Sequence, residues 1–128
     1  MNISFDLDST LIPNGKEFET EKRTFMAKVF RVEKLRKGTK ELFSSIEKEG
    51  HNLNIYTTSF RSKSRIRFMF WCYSIRVGKI VNQIENHQKL KSINISSSKY
   101  PTVFGFDLHI NDSKGVEIEG NKHNFKVL

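Results

Sequence analysis

Two aspartates, Asp6 and Asp8, stand two residues apart in the run Phe5-Asp6-Leu7-Asp8-Ser9-Thr10-Leu11-Ile12, directly behind a short apolar stretch. Side chains alternate along a strand, but where its last residues bend into a loop, carboxylates so spaced converge on one small volume. Like charges crowded that way repel unless a cation or a proton joins them. An unpaired charge at the end of an apolar strand is too costly to be there for packing, so the pair reads as part of a divalent-metal site. Two more polar clusters follow apolar stretches: Thr57-Thr58-Ser59 after Asn52 to Tyr56, and Asn111-Asp112 after Thr102 to Ile110.

These groups need elements to position them. Asn2 to Asp6 reads as a first strand, closed by the turn formers Pro13, Asn14 and Gly15. Glu17 to Phe30 is expected to be helical, with Phe25, Met26, Val29 and Phe30 as a core-facing stripe. Thr39 to Glu49 gives a second helix, with Gly50 at its C-terminal stop. Asn52 to Tyr56 is a strand that delivers Thr57, Thr58 and Ser59. A third helix runs from Phe60 to Tyr73, carried by Ile66, Met69, Phe70 and Tyr73. Lys79 to Asn82 is a short strand, Gln83 to Ile95 a helix or a turn with a half-helix, and Ser96 to Pro101 a loop. Thr102 to Ile110 is a strand, and Phe125 to Leu128 a final edge strand.

Strands alternating with helices point to an α/β protein with a parallel sheet and helices on both faces. Ligands bind such sheets outside the carboxyl ends of the strands, at a switch in strand order. That rule brings Asp6 and Asp8, Thr57, and Asn111 with Asp112 into one crevice.

Composition bounds the partners. The 128 residues suit a single domain over 1–128, and 11 phenylalanines with 37% apolar residues supply a packed core. A formal charge of +8 favours partners carrying negative charge. No motif for groove reading or base stacking accompanies it, so nucleic acid is an unlikely partner. The longest apolar run, Phe68 to Tyr73, is too short to span a bilayer. Asp6 and Asp8 stand where a signal peptide needs hydrophobes. One cysteine, Cys72, excludes an internal disulfide and fits an inert core thiol in a reducing, cytoplasmic setting.

The three clusters together resemble the haloacid dehalogenase-like superfamily of phosphohydrolases. Its first motif, a strand followed by Asp-x-Asp-x-Thr, is matched by Asp6, Asp8 and Thr10. Its second, a hydrophobic strand ending in Thr or Ser, is similar to Asn54-Ile55-Tyr56-Thr57, and its fourth to Asp107-Leu108-His109-Ile110-Asn111-Asp112. The resemblance spans nearly the whole chain and implies a three-layer Rossmann-like fold.

It also implies an Mg²⁺-dependent phosphatase acting on a phosphorylated small molecule or phosphoprotein. Asp6 would be the nucleophile and Asp8 the general acid and base. Thr57 would hold a phosphoryl oxygen, helped by the next residue, Thr58. Asp6, Asp8, Asn111 and Asp112 would hold the metal, Asn111 through an amide where many relatives carry an acid. The third motif, a lysine that neutralises the phosphoryl group, has three matches in Lys89, Lys91 and Lys99, of which Lys89 is the choice. Arg61, beside Thr57 in a basic cluster, is the choice for substrate binding. There is no room for a large cap domain, so the crevice admits a bulky substrate or is closed by a neighbouring subunit. The alternative reading is a weakly active or inactive phosphate-binding module.

Overall fold

Short strands rich in Ile, Leu, Phe and Tyr, buried along their length, pair side by side in the computed structural model, which describes residues 1–16 and 18–111. The elements, in chain order, are β1 (Asn2–Phe5), α1 (Phe25–Val29), α2 (Thr39–Lys48), β2 (Asn52–Tyr56), α3 (Lys63–Cys72), β3 (Ile80–Val81), α4 (Gln83–Ser92), a 3₁₀ turn (Pro101–Phe104) and β4 (Leu108–Ile110). All strand pairs are parallel, in the order β3-β2-β1-β4. Asn2 stands beside Asn52 and Phe5 beside Ile55, while Ile3 stands beside Leu108 and Phe5 beside Ile110. The chain steps outward from β1 to β2 and β3, then returns to the far side of β1. The switch in strand order therefore lies between β1 and β4. This is an α/β fold built on a Rossmann-like parallel sheet.

Strand alternation sorts the two faces. Ile3, Phe5, Leu53 and Ile55 join Phe43 of α2 and Ile66, Met69 and Phe70 of α3 in the main apolar core. Ser4, Asn54, Tyr56 and His109 occupy the alternate positions, all buried. Tyr56 packs there against Phe104 and Phe106, with ring centroids 5.2 and 5.7 Å away, and its hydroxyl donates to Asn86 of α4. Ser4, Asn54 and His109 make this second face largely polar, unusual for a parallel sheet, whose strands commonly read as unbroken apolar runs.

Caps set the helix limits. Thr24, Ser62 and Asn82 each accept a backbone N–H from the first turn of α1, α3 and α4. Gly50 lies just beyond α2 with φ of +83°, where a Cβ is unfavourable. Cys72 is buried, and burial pushes its thiol pKa up.

Three expectations are corrected. The helix expected from Glu17 begins only at Phe25, because Thr20 makes an antiparallel bridge to Arg36 instead. Of its expected apolar stripe only Met26 packs against the core: Phe25 is 78% exposed and Phe30 51%, and Phe30 meets Phe68, which stacks on Trp71, in an aromatic surface patch. The strand expected from Thr102 starts only at Leu108, since Pro101 opens a 3₁₀ turn that Gly105 ends at φ of +81°. The strand expected over 125–128 lies outside the described residues. Among the described residues, no helix is long and apolar enough to cross a membrane.

Candidate active site

Asp6 leaves β1 at the switch point. Its N–H donates to Ile110 O at 3.0 Å, carrying the β1–β4 ladder one step past the strand. The next residue, Leu7, is fully buried, and its carbonyl accepts the N–H groups of Thr10, Leu11 and Ile12 at 3.1, 2.8 and 2.9 Å. This tight loop, with Ser9 at φ of +63°, turns Asp8 back towards the same rim of the sheet.

Lys99 supplies the cation beside Asp6. Its side chain is 1% exposed, and Nζ lies 3.1 Å from Asp6 Oδ1. The ammonium also donates to Tyr56 O at 2.9 Å and to His109 Nε2 at 3.0 Å. An ammonium carries only donors, so Nε2 must be the unprotonated nitrogen of the ring. His109 Nδ1 then donates to Ser4 Oγ at 2.8 Å. Burial first, then the Lys99 charge, hold the His109 pKa down to about 2 against a Ser4 backbone hydrogen bond, so the imidazole is neutral.

Lys89, the residue chosen from sequence for this place, is not there. It lies exposed on α4, where it lines a surface depression with Lys79, Glu85 and Phe104. The capped helix carries Lys89 away from the sheet rim, while the loop after α4 brings Lys99 back under it. Spacing alone could not choose between lysines separated by an irregular loop.

Thr57 follows β2, buried, with its N–H on Val81 O at 2.9 Å and its hydroxyl accepting from Ser59 N at 3.0 Å. Thr58 is exposed and opens onto a cleft of about 760 Å³ with Gln83, His87, Lys91 and Ser96. Ser59 Oγ accepts both the N–H and Nη1 of Arg61, at 3.1 and 2.9 Å. Arg61 Nη1 meets both Asp8 oxygens, at 3.2 and 3.1 Å. Its Nε reaches Glu33 Oε1 at 3.3 Å, an oxygen shared with Arg65 at 3.0 Å.

Burial lowers the Arg61 pKa, but the hydrogen bond and charge of Asp8, then Glu33, outweigh it and the net shift is upward. Glu33 moves down: burial raises its pKa, and its own backbone hydrogen bond with the charges of Arg65 and Arg61 outweighs that. The result is a strip of alternating charge that runs from the exposed Arg65 through the more buried Glu33 and Arg61 to Asp8.

Asn111 follows β4, buried, with its amide nitrogen 3.4 Å from His109 Nε2. Asp112 lies outside the described residues. Among the described residues no group of three or more His, Cys, Asp or Glu side chains gathers as a metal cage. The donors at the rim are oxygens, from the Asp6 carboxylate and the Asn111 amide, which suits a hard cation such as Mg²⁺ that keeps several waters. The Asp8 carboxylate is paired with Arg61.

From sequence His109 reads as structural or solvent-facing and Lys99 as one of three candidate lysines; the structure places Lys99 beside Asp6 and His109 beside Lys99. A signal for His109 exists: it stands level with Ser4 across the β1–β4 pair, a polar pair in the middle of buried strands. No protein-family model, curated protein or solved structure matches this chain.

Proposed function

We propose that this protein is a phosphomonoesterase of the haloacid dehalogenase-like type, with the three-layer arrangement of that superfamily and a cytoplasmic setting. The observation that carries the reading is the buried Lys99 ammonium 3.1 Å from Asp6 at the carboxyl edge of a parallel sheet. A carboxylate held on one oxygen keeps the other for attack, and the cation beside it attracts a phosphate dianion to the same point.

The chemistry runs in two displacements. An Asp6 oxygen attacks phosphorus and the ester P–O bond breaks, giving an aspartyl-phosphate. Asp8 gives a proton to the departing oxygen, then takes one from water, which attacks the same phosphorus and releases inorganic phosphate with Asp6 restored. Thr57 and the Thr58 N–H hold a phosphoryl oxygen, and Lys99 offsets charge on the group in flight. Arg61 moves from Asp8 to the incoming phosphate, a better bidentate partner, which frees the carboxyl for proton transfer. Mg²⁺, held by Asp6, the Asp8 carbonyl, Asn111 and Asp112, would screen the nucleophile from an anionic substrate. The substrate is a phosphorylated small molecule or phosphoprotein admitted through an open crevice.

A second reading draws on one observation. The Arg61 ion pair on Asp8, 3.1 Å long, favours the ionised carboxylate and works against a general acid, as in a module that binds phosphate without hydrolysing it. Hydrolysis of an aryl phosphate in the presence of Mg²⁺ separates the two. Wild type is expected to turn over and Asp6→Asn to lose at least about 10³-fold in kcat. Phosphate binding without turnover in wild type would establish the second reading.

A further inference from the structure

Resting on that phosphatase reading, we propose that His109 is a positioning residue that aims Lys99 at Asp6 through a relay of fixed polarity anchored on Ser4. The relay runs from the Lys99 ammonium into Nε2 at 3.0 Å, out of Nδ1 into Ser4 Oγ at 2.8 Å, and from the Ser4 hydroxyl to Leu108 O at 3.4 Å. Each step has one permitted direction. Lys99 can only donate, a neutral imidazole carries one N–H, and the Ser4 hydroxyl accepts that N–H while giving its own proton to a carbonyl.

The need for such a device follows from the lysine itself. Its four-carbon stem has many rotamers to lose and its head is a point charge without directional preference. Two acceptors set in the sheet, Tyr56 O at 2.9 Å and His109 Nε2, fix where the ammonium stands before Asp6 completes the triangle. Packing alone does not explain a histidine here. The position is 0% exposed between Leu108 and Ile110, where an aliphatic side chain would avoid the cost of burying a polar ring. His109 touches neither phosphorus nor the leaving group; it acts through Lys99.

The first test reads the protein without any turnover. Long-range ¹H–¹⁵N spectra of histidine-labelled wild type are expected to show His109 protonated on Nδ1 with a pyridine-type Nε2; an Nε2–H tautomer overturns the proposal. The second compares His109→Gln, whose amide oxygen restores an acceptor near Nε2, with His109→Leu, which has none, using an aryl phosphate and Mg²⁺. His109→Leu is expected to lose about 10- to 100-fold in kcat with KM nearly unchanged, and His109→Gln to recover most of it, because charge placement acts in the transition state. Equal losses in both variants at equal thermal stability overturn the positioning role. Should wild type hydrolyse no phosphate ester, the phosphatase reading falls, and the tautomer spectrum still decides the relay. The same spectrum decides it if the variants do not fold.

Discussion

Lys99 and Lys89 are chemically the same residue in settings that differ in every respect that governs reactivity. One is 1% exposed with Asp6, His109 and the Tyr56 carbonyl around it, and the other stands in solvent on α4. Removing the charge as Lys99→Met is expected to cost about 10²- to 10³-fold in kcat on an aryl phosphate, the range for losing one preorganised electrostatic partner. Lys89→Met should stay within about two-fold of wild type, since an exposed charge away from the site is screened. Steady-state kinetics of both variants check this, and the reverse ranking would mean that the third motif has been misplaced. The place of Asp6 just past a strand was legible, because the apolar run before it is a local signal; that Asp6 would pair with Lys99 and Asp8 with Arg61 is long-range and was not. The lysine was not, because its position depends on an irregular loop after α4 whose path no periodicity records.

Elements with strong local signals came out as expected: β2 spans Asn52–Tyr56 to the residue, and α2 covers Thr39–Lys48, just short of Gly50. Failures came where a longer-range pairing or local turn chemistry competes. Thr20 pairs with Arg36 in place of a helical turn, and Pro101 with Gly105 cuts an apolar run into a 3₁₀ turn and a short strand. Gly78, ahead of β3, makes the close approach testable. A Cβ there would stand 2.9 Å from Asn54 Oδ1 and 3.0 Å from Leu53 O. Asn54 cannot swing aside cheaply, since its Oδ1 accepts from Lys79 N at 2.9 Å and its Nδ2 donates to Ile3 O at 3.2 Å. Gly78→Ala is therefore expected to lose about 1–3 kcal/mol, measured as a lower denaturant midpoint at unchanged slope. A variant as stable as wild type would show that the β2–β3 junction yields.

Burying a neutral histidine couples the stability of the entire chain to pH. The His109 pKa is about 2 when folded against an ordinary 6.5, so below 6.5 the unfolded chain takes up a proton that the native one refuses. Stability is thus level above 6.5 and falls as pH drops, by about 1 kcal/mol between pH 7 and 5.5 for this one group. Glu33, lowered from 4.5, adds a loss in the same direction at more acid pH. Urea unfolding at the two pH values should show the drop in wild type and lose it in His109→Gln; a flat wild-type profile would contradict it. The sheet order has a last consequence. Because β1 lies inside the sheet, flanked by β2 on one side and β4 on the other, Asp6 meets its counter-ion only where a distant stretch of chain, the loop after α4, returns to the rim. A fragment that stopped short of Lys99 would keep the Asp6 carboxylate and lose its cation, so the ion pair depends on β1 and the loop after α4 being in place together.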